Sequence, residues 1–158
     1  MAFLCNKHLG IVKSNPCLGM KLWSGAFANG ERSYQHSRWK PASAFFGAAY
    51  EISLECMYHK STQFDPLHFS AAGQCLVNSL CQLGELPTAY DYLKEMKSKL
   101  RVMSSSIQLH PDNQRIAAKL VGHIQCQLTH VAQVKSRLSV SEESGLVNEE
   151  YLPAGINH

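Results

Sequence analysis

Residues 65–103 read DPLHFSAAGQCLVNSLCQLGELPTAYDYLKEMKSKLRVM, and this stretch decides the fold. Asp65 has the carboxylate that satisfies free N–H groups at a helix start, and Pro66 suits the first helical position, where no N–H is needed. Phe69, Ala72, Leu76, Leu80 and Leu83 then recur at steps of three and four, the spacing of one helical face. Gly84 supplies a stop and Pro87 a restart, and Ala89, Leu93, Met96 and Leu100 form the matching face of a second helix. The stretch predicts a helical hairpin with small residues where its two helices touch.

The same pattern extends outward. Phe3, Leu4, Leu9, Ile11 and Val12 suffice for a short helix packed on the body, and Asn15-Pro16 breaks it. From Pro16, the spacing of Met20, Trp23, Phe27 and Gly30 predicts a helix to about Gln35, with a turn at His36-Ser37-Arg38. Trp39-Lys40-Pro41 opens the next helix, whose apolar face holds Ala42, Phe45, Phe46, Ala49, Ile52, Cys56 and Met57 and which is expected to end near residues 59–62. After the hairpin, Ser104-Ser105-Ser106 is a place to fray or bend, and His110-Pro111-Asp112-Asn113 is a firm break. Ile116, Leu120, Ile124, Leu128, Val131, Val134 and Leu138 predict one long helix, or two with a kink. Ser141–Gly145 reads as linker, and Leu146–Leu152 as a final turn. No segment reads as a strand, so the expected class is all-α: residues 1–140 as a single helical domain and residues 141–158 as an acidic tail.

The chain of 158 residues is long enough to bury a core without metal or disulfide staples. Its six cysteines are scattered, form no CxxC pair and fall partly on apolar faces, which favours reduced thiols over a disulfide framework. No apolar run approaches the roughly 20 residues that cross a bilayer, and the first residues lack a basic leader and a cleavage signal, so the expectation is a cytoplasmic protein without a membrane partner. Residues 1–140 carry all 15 Lys and Arg against eight Asp and Glu, whereas the last 18 carry four Glu and no Lys or Arg. That acidic end reads as a solvated tail, with folding back onto a groove as the alternative.

Alignment of the two hairpins on the small residue that opens each second helix exposes an internal repeat. Trp39-x-x-Ala42-x-x-x-Phe46-x-x-Ala49-Tyr50 matches Leu86-x-x-Ala89-x-x-x-Leu93-x-x-Met96-Lys97, and Ala26-x-x-Asn29-Gly30 matches Gly73-x-x-Leu76-Val77. These positions, over residues 23–130, resemble the tetratricopeptide repeat, a unit of two antiparallel helices. The resemblance implies an α-solenoid of two to three stacked hairpins with capping helices, in which Ala42 and Ala89 allow close crossing while Phe46, Ala49 and Leu93 fill the space beyond. A third unit would begin at His110-Pro111, with Ala118, Val121 and Gly122 in its first helix and no good match for its second. The chain departs from the family in two respects. Its repeat is 47 residues long, 13 longer than the family's 34, and the leading signature of each first helix is degenerate.

Such arrays line a groove with the first helix of each unit, and the groove holds a peptide or helix of another protein. The resemblance assigns to it Phe27, Glu31 and Tyr34, then Gln74, Asn78 and Gln82, then Lys119, His123 and Gln127. The last two sets are i, i+4, i+8 ladders whose long polar side chains suit an extended peptide backbone. Phe27 and Glu31 stand where the carboxylate-clamp subclass needs basic and amide groups, so chaperone-tail binding is not expected. The predicted function is therefore an interaction adaptor, not an enzyme, with no cofactor or metal. Self-association through uncovered end faces is a further possibility for repeat arrays.

Two other classes have named candidates. His123, Cys126 and His130 fall at i, i+3 and i+7 on one helical face and carry zinc-ligand or thiol chemistry, though without CxxC or HExxH support. Lys94, Lys97, Lys99 and Arg101 form a basic cluster interleaved with Glu95 that would suit a nucleic-acid regulator, but the lack of interleaved aromatics favours a solvated face. Neither a phosphate-cradling glycine loop nor a nucleophilic serine motif is present, since Gly19, Gly25 and Gly30 lie inside an expected helix.

Overall fold

The computed structural model describes residues 3–59 and 64–145. Six α-helices account for nearly all of these: α1 (Asn6–Ser14), α2 (Gly19–Gln35), α3 (Trp39–Cys56), α4 (Pro66–Gln82), α5 (Leu86–Ser105) and α6 (Pro111–Gly145). Among the described residues there is no strand. Each helix from α2 onward packs on the next, α1 lies on α3, and α4 also touches α6. Three-residue connections join α2 to α3 and α4 to α5, so each pair is an antiparallel hairpin.

The two hairpin turns are copies of one another. Ser37 (φ 55°) and Gly84 (φ 76°) both take the left-handed conformation. The N–H after each reaches back five residues, Arg38 to the Ser33 carbonyl at 2.9 Å and Glu85 to the Leu80 carbonyl at 2.9 Å. The N–H of Ser37 meets the Tyr34 carbonyl at 2.9 Å, and that of Gly84 meets the Cys81 carbonyl at 3.0 Å. This is the Schellman end to a helix, which satisfies carbonyls that have no partner within it. Five residues beyond each left-handed residue stand Ala42 and Ala89, both 0% exposed, each the fourth residue of its helix. A shift of 47 residues therefore relates turn to turn and alanine to alanine.

Small residues set the helix separation elsewhere too. A Cβ on Gly30 would lie 2.7 Å from the Phe46 ring, and one on Gly73 would lie 2.6 Å from the Met96 sulfur and methyl. A Cβ on Gly47 would enter the ring of Phe3, whose N–H, with that of Leu4, donates to the Glu51 carboxylate at 2.9 and 2.7 Å. Those two bonds fix the chain before α1 against α3. The core then runs from Phe46 and Tyr50 through Phe69, Leu76, Leu93 and Met96 to Ile124. At the start of α4, Asp65 Oδ1 accepts the N–H groups of Leu67 (2.9 Å) and His68 (3.1 Å), the cap expected of it.

Several expectations need correction. Pro16–Leu18 forms a 3₁₀ turn, and α2 begins only at Gly19. The third helix stops at Cys56, before residues 59–62. Phe45 is 38% exposed and Leu83 36%, because Phe45 faces α1 across an open apolar pocket and Leu83 sits at the hairpin tip. The serine run marks the end of α5, which stops at Ser105 with Ser106 as its cap, and the hydroxyls of Ser104 and Ser105 bond back to the Arg101 carbonyl. α6 is one continuous helix, the first of the two expected forms, but it runs on through Ser141–Gly145, so the stretch read as linker is helical and no second helix of the expected third unit follows among the described residues. The expected turn at 146–152 and the rest of the acidic tail lie outside the described residues.

The matched turns make reciprocal predictions for thermal or denaturant unfolding. Ser37→Gly should raise stability by up to about 1 kcal/mol, since glycine adopts positive φ without steric cost, and Gly84→Ala should lower it by about 1–2 kcal/mol. Gly30→Ala should cost about 1–3 kcal/mol because a ring, not a flexible chain end, blocks the new methyl. Gly25→Ala, with open space around it, should instead stabilise α2 by up to about 1 kcal/mol.

Candidate functional site

α2, α4 and α6 bring several of the predicted groove residues together. Glu31 on α2 and Asn78 on α4 line one pocket of about 230 Å³, with Tyr34, Phe46 and Cys75 between them. The aromatic floor follows from packing: Phe27 and Phe46 meet edge to face at 5.4 Å, and Tyr34 meets Trp39 at 4.7 Å. Farther along, Gln127 on α6 donates through Nε2 to Gln74 Oε1 on α4 at 3.5 Å, and His123 Nε2 lies 3.3 Å from the same Gln127 nitrogen. Gln74 in turn donates to Ser70 Oγ at 2.8 Å. Gln127 Oε1 is buried without a hydrogen-bond partner.

Gln82, in the last turn of α4, and Lys119, in the third turn of α6, are exposed and stand apart from these contacts. Ala42, Phe46, Ala49, Ala89 and Leu93 are all buried in the core. Cys75, like Gln35, lines this pocket without having been singled out by periodicity. It was legible in principle, because it falls three residues before Asn78 on the same helix.

All six cysteines are free thiols. Burial holds the Cys75 thiol above its ordinary pKa, and the negative charge of Glu31 raises it further. Burial, with a smaller contribution from Glu55, pushes Cys56 up to about 11. Neither thiol is primed for nucleophilic work at neutral pH, since the thiolate is the reactive form.

The other candidates stand differently. His123, Cys126 and His130 are all exposed, and among the described residues no three His, Cys, Asp or Glu side chains gather into a group able to hold a metal ion. Lys94, Lys97 and Arg101, by contrast, line the wall of a cleft of about 820 Å³ between α5 and α6, whereas Lys99 does not. The facing wall holds Gln125, Thr129 and Gln133, an i, i+4, i+8 ladder on α6 that the sequence reading passed over. Among the described residues no helix is long and apolar enough to cross a membrane. Comparison with protein-family models, with curated proteins and with solved structures returns no match.

The proximity of Glu31 to Cys75 has a direct chemical readout. Removing the carboxylate charge in Glu31→Gln lowers the thiol's pKa and raises its thiolate fraction, so Cys75 should alkylate faster at pH 8, by roughly twofold or more. Mass spectrometry of the labelled peptide would follow this against Cys81, whose rate should not change.

Proposed function

We propose that the chain is a small helical-repeat binding module of the tetratricopeptide type, which holds a segment of another protein along the face formed by α2, α4 and α6. The single observation behind this reading is the continuity of polar groups across that face. Asn78 borders a pocket with an aromatic floor, and the amides of Gln74 and Gln127 follow it. An extended backbone presents N–H and C=O groups at regular intervals, the chemistry that such amides complement. The matched turns and alanines, 47 residues apart, support a stacked-hairpin origin for the face. Free thiols throughout, and helices too short or polar to cross a bilayer among the described residues, support a reducing, cytoplasmic setting.

Photo-crosslinking tests the reading. A benzoylphenylalanine placed at Asn78 should capture a protein in the native cell, and one placed at Lys99 should not. The double substitution Asn78→Ala, Gln127→Ala should abolish capture by the intact face while far-UV circular dichroism stays helical. Capture that is indifferent to those substitutions removes this function.

A further inference from the structure

The flank of α6 that faces α5 is lined differently from the one that faces α4. Lys94, Lys97 and Arg101 descend one side of α5 at i, i+3 and i+7, spanning about 10 Å of helix. Val102, Leu128 and Ala132 provide apolar surface within the same cleft, and Val102 is 58% exposed. The α6 wall contributes no charge: Gln125, which the Lys97 ammonium contacts, Thr129 and Gln133. Lys94 has a carboxylate partner, Asp91 at 2.7 Å, and lies over the Tyr90 ring at 5.1 Å. Among the described residues Lys97 and Arg101 have none.

We propose that this cleft is a second docking surface, one that receives an acidic amphipathic helix from a partner protein. Carboxylates spaced three or four residues apart on a helix match the spacing of Lys97 and Arg101, and the leucine-like face of such a helix would cover Val102, Leu128 and Ala132. Complementary charge sets register and speeds encounter, while the covered apolar surface supplies affinity. A nucleic-acid backbone fits less well. It would leave the apolar surface of Val102, Leu128 and Ala132 uncovered, whereas the apolar face of an amphipathic helix covers it. The occupant is a short run of carboxylates with apolar neighbours, not a continuous polyanion.

The test uses the full chain and a labelled 14-residue peptide with Glu at i, i+3 and i+7 and Leu on the adjoining face, followed by fluorescence anisotropy in about 50 mM salt. The peptide should bind, and replacing its Glu by Gln should weaken binding by about tenfold or more. Lys97→Glu with Arg101→Glu should cause a loss of similar size, whereas Lys99→Glu, the same charge change outside the cleft, should leave affinity within about twofold. Should the double variant lose helicity, Lys97→Gln with Arg101→Gln carries the same comparison. Equal losses from the Lys99 variant would overturn the proposal, as would absence of peptide binding. So would a 20-base-pair duplex that binds through Lys97 and Arg101 where the peptide does not. A large gain in peptide affinity on Glu149→Gln with Glu150→Gln would also overturn it, by showing the chain's own carboxylates to be the occupant.

Discussion

Close approach of antiparallel helices is the constraint on which this molecule depends. Ala42 and Ala89 are wholly enclosed, and Gly30 and Gly73 leave no room for a methyl beside Phe46 and Met96. Where helices cross at such small residues, large neighbours interlock around the crossing, and the dispersion and burial gained there hold the hairpin closed. Enlarging one of these residues moves a helix, and every later element rides on it, because α2 to α6 pack in succession.

Close packing leaves little room for polar groups, and the chain handles the buried ones locally. Ser43, Ser53 and Ser79 donate to carbonyls three or four residues back at 2.8–2.9 Å, so small hydroxyl residues line helix contacts without an unpaired donor. Tyr50 reaches from α3 to the Glu95 carboxylate on α5, and its burial, followed by the charge of Glu95, keeps the phenol protonated far above its usual range. Departures from this economy are few among the described residues: Trp23 Nε1 in the aromatic cluster near His68, and Gln127 Oε1 between α4 and α6. The second lies where the proposed binding face runs.

The long last helix divides the surface. One flank of α6 meets α4 through Gln74, His123 and Gln127, and the other meets α5 across the basic cleft. Among the described residues no helix folds back on α6, and its α5-facing flank keeps an open cleft. The two flanks are thus chemically distinct, with amides toward α4 and cations beside apolar surface toward α5.

By itself the sequence determined the helices, the hairpin turns and the alignment of Ala42 with Ala89, since these depend on local spacing: apolar residues every three or four positions, a cap at Asp65, a left-handed stop at Gly84. Ser37 shows the limit of that logic, for nothing in its side chain advertises positive φ, and it is the backbone bonds of Ser37 and Arg38 to Tyr34 and Ser33 that close the turn there. Only the tertiary structure decided that Glu31 and Asn78 share a pocket with Cys75, that Gln127 meets both Gln74 and His123, and that Lys97 and Arg101 face Gln125 and Gln133 while Lys99 does not. Those pairings join residues as many as 53 positions apart. They are set by how far each helix is rotated and slid against its neighbour, which depends on the shapes of all the side chains at the crossings, and no periodicity within a single helix records it.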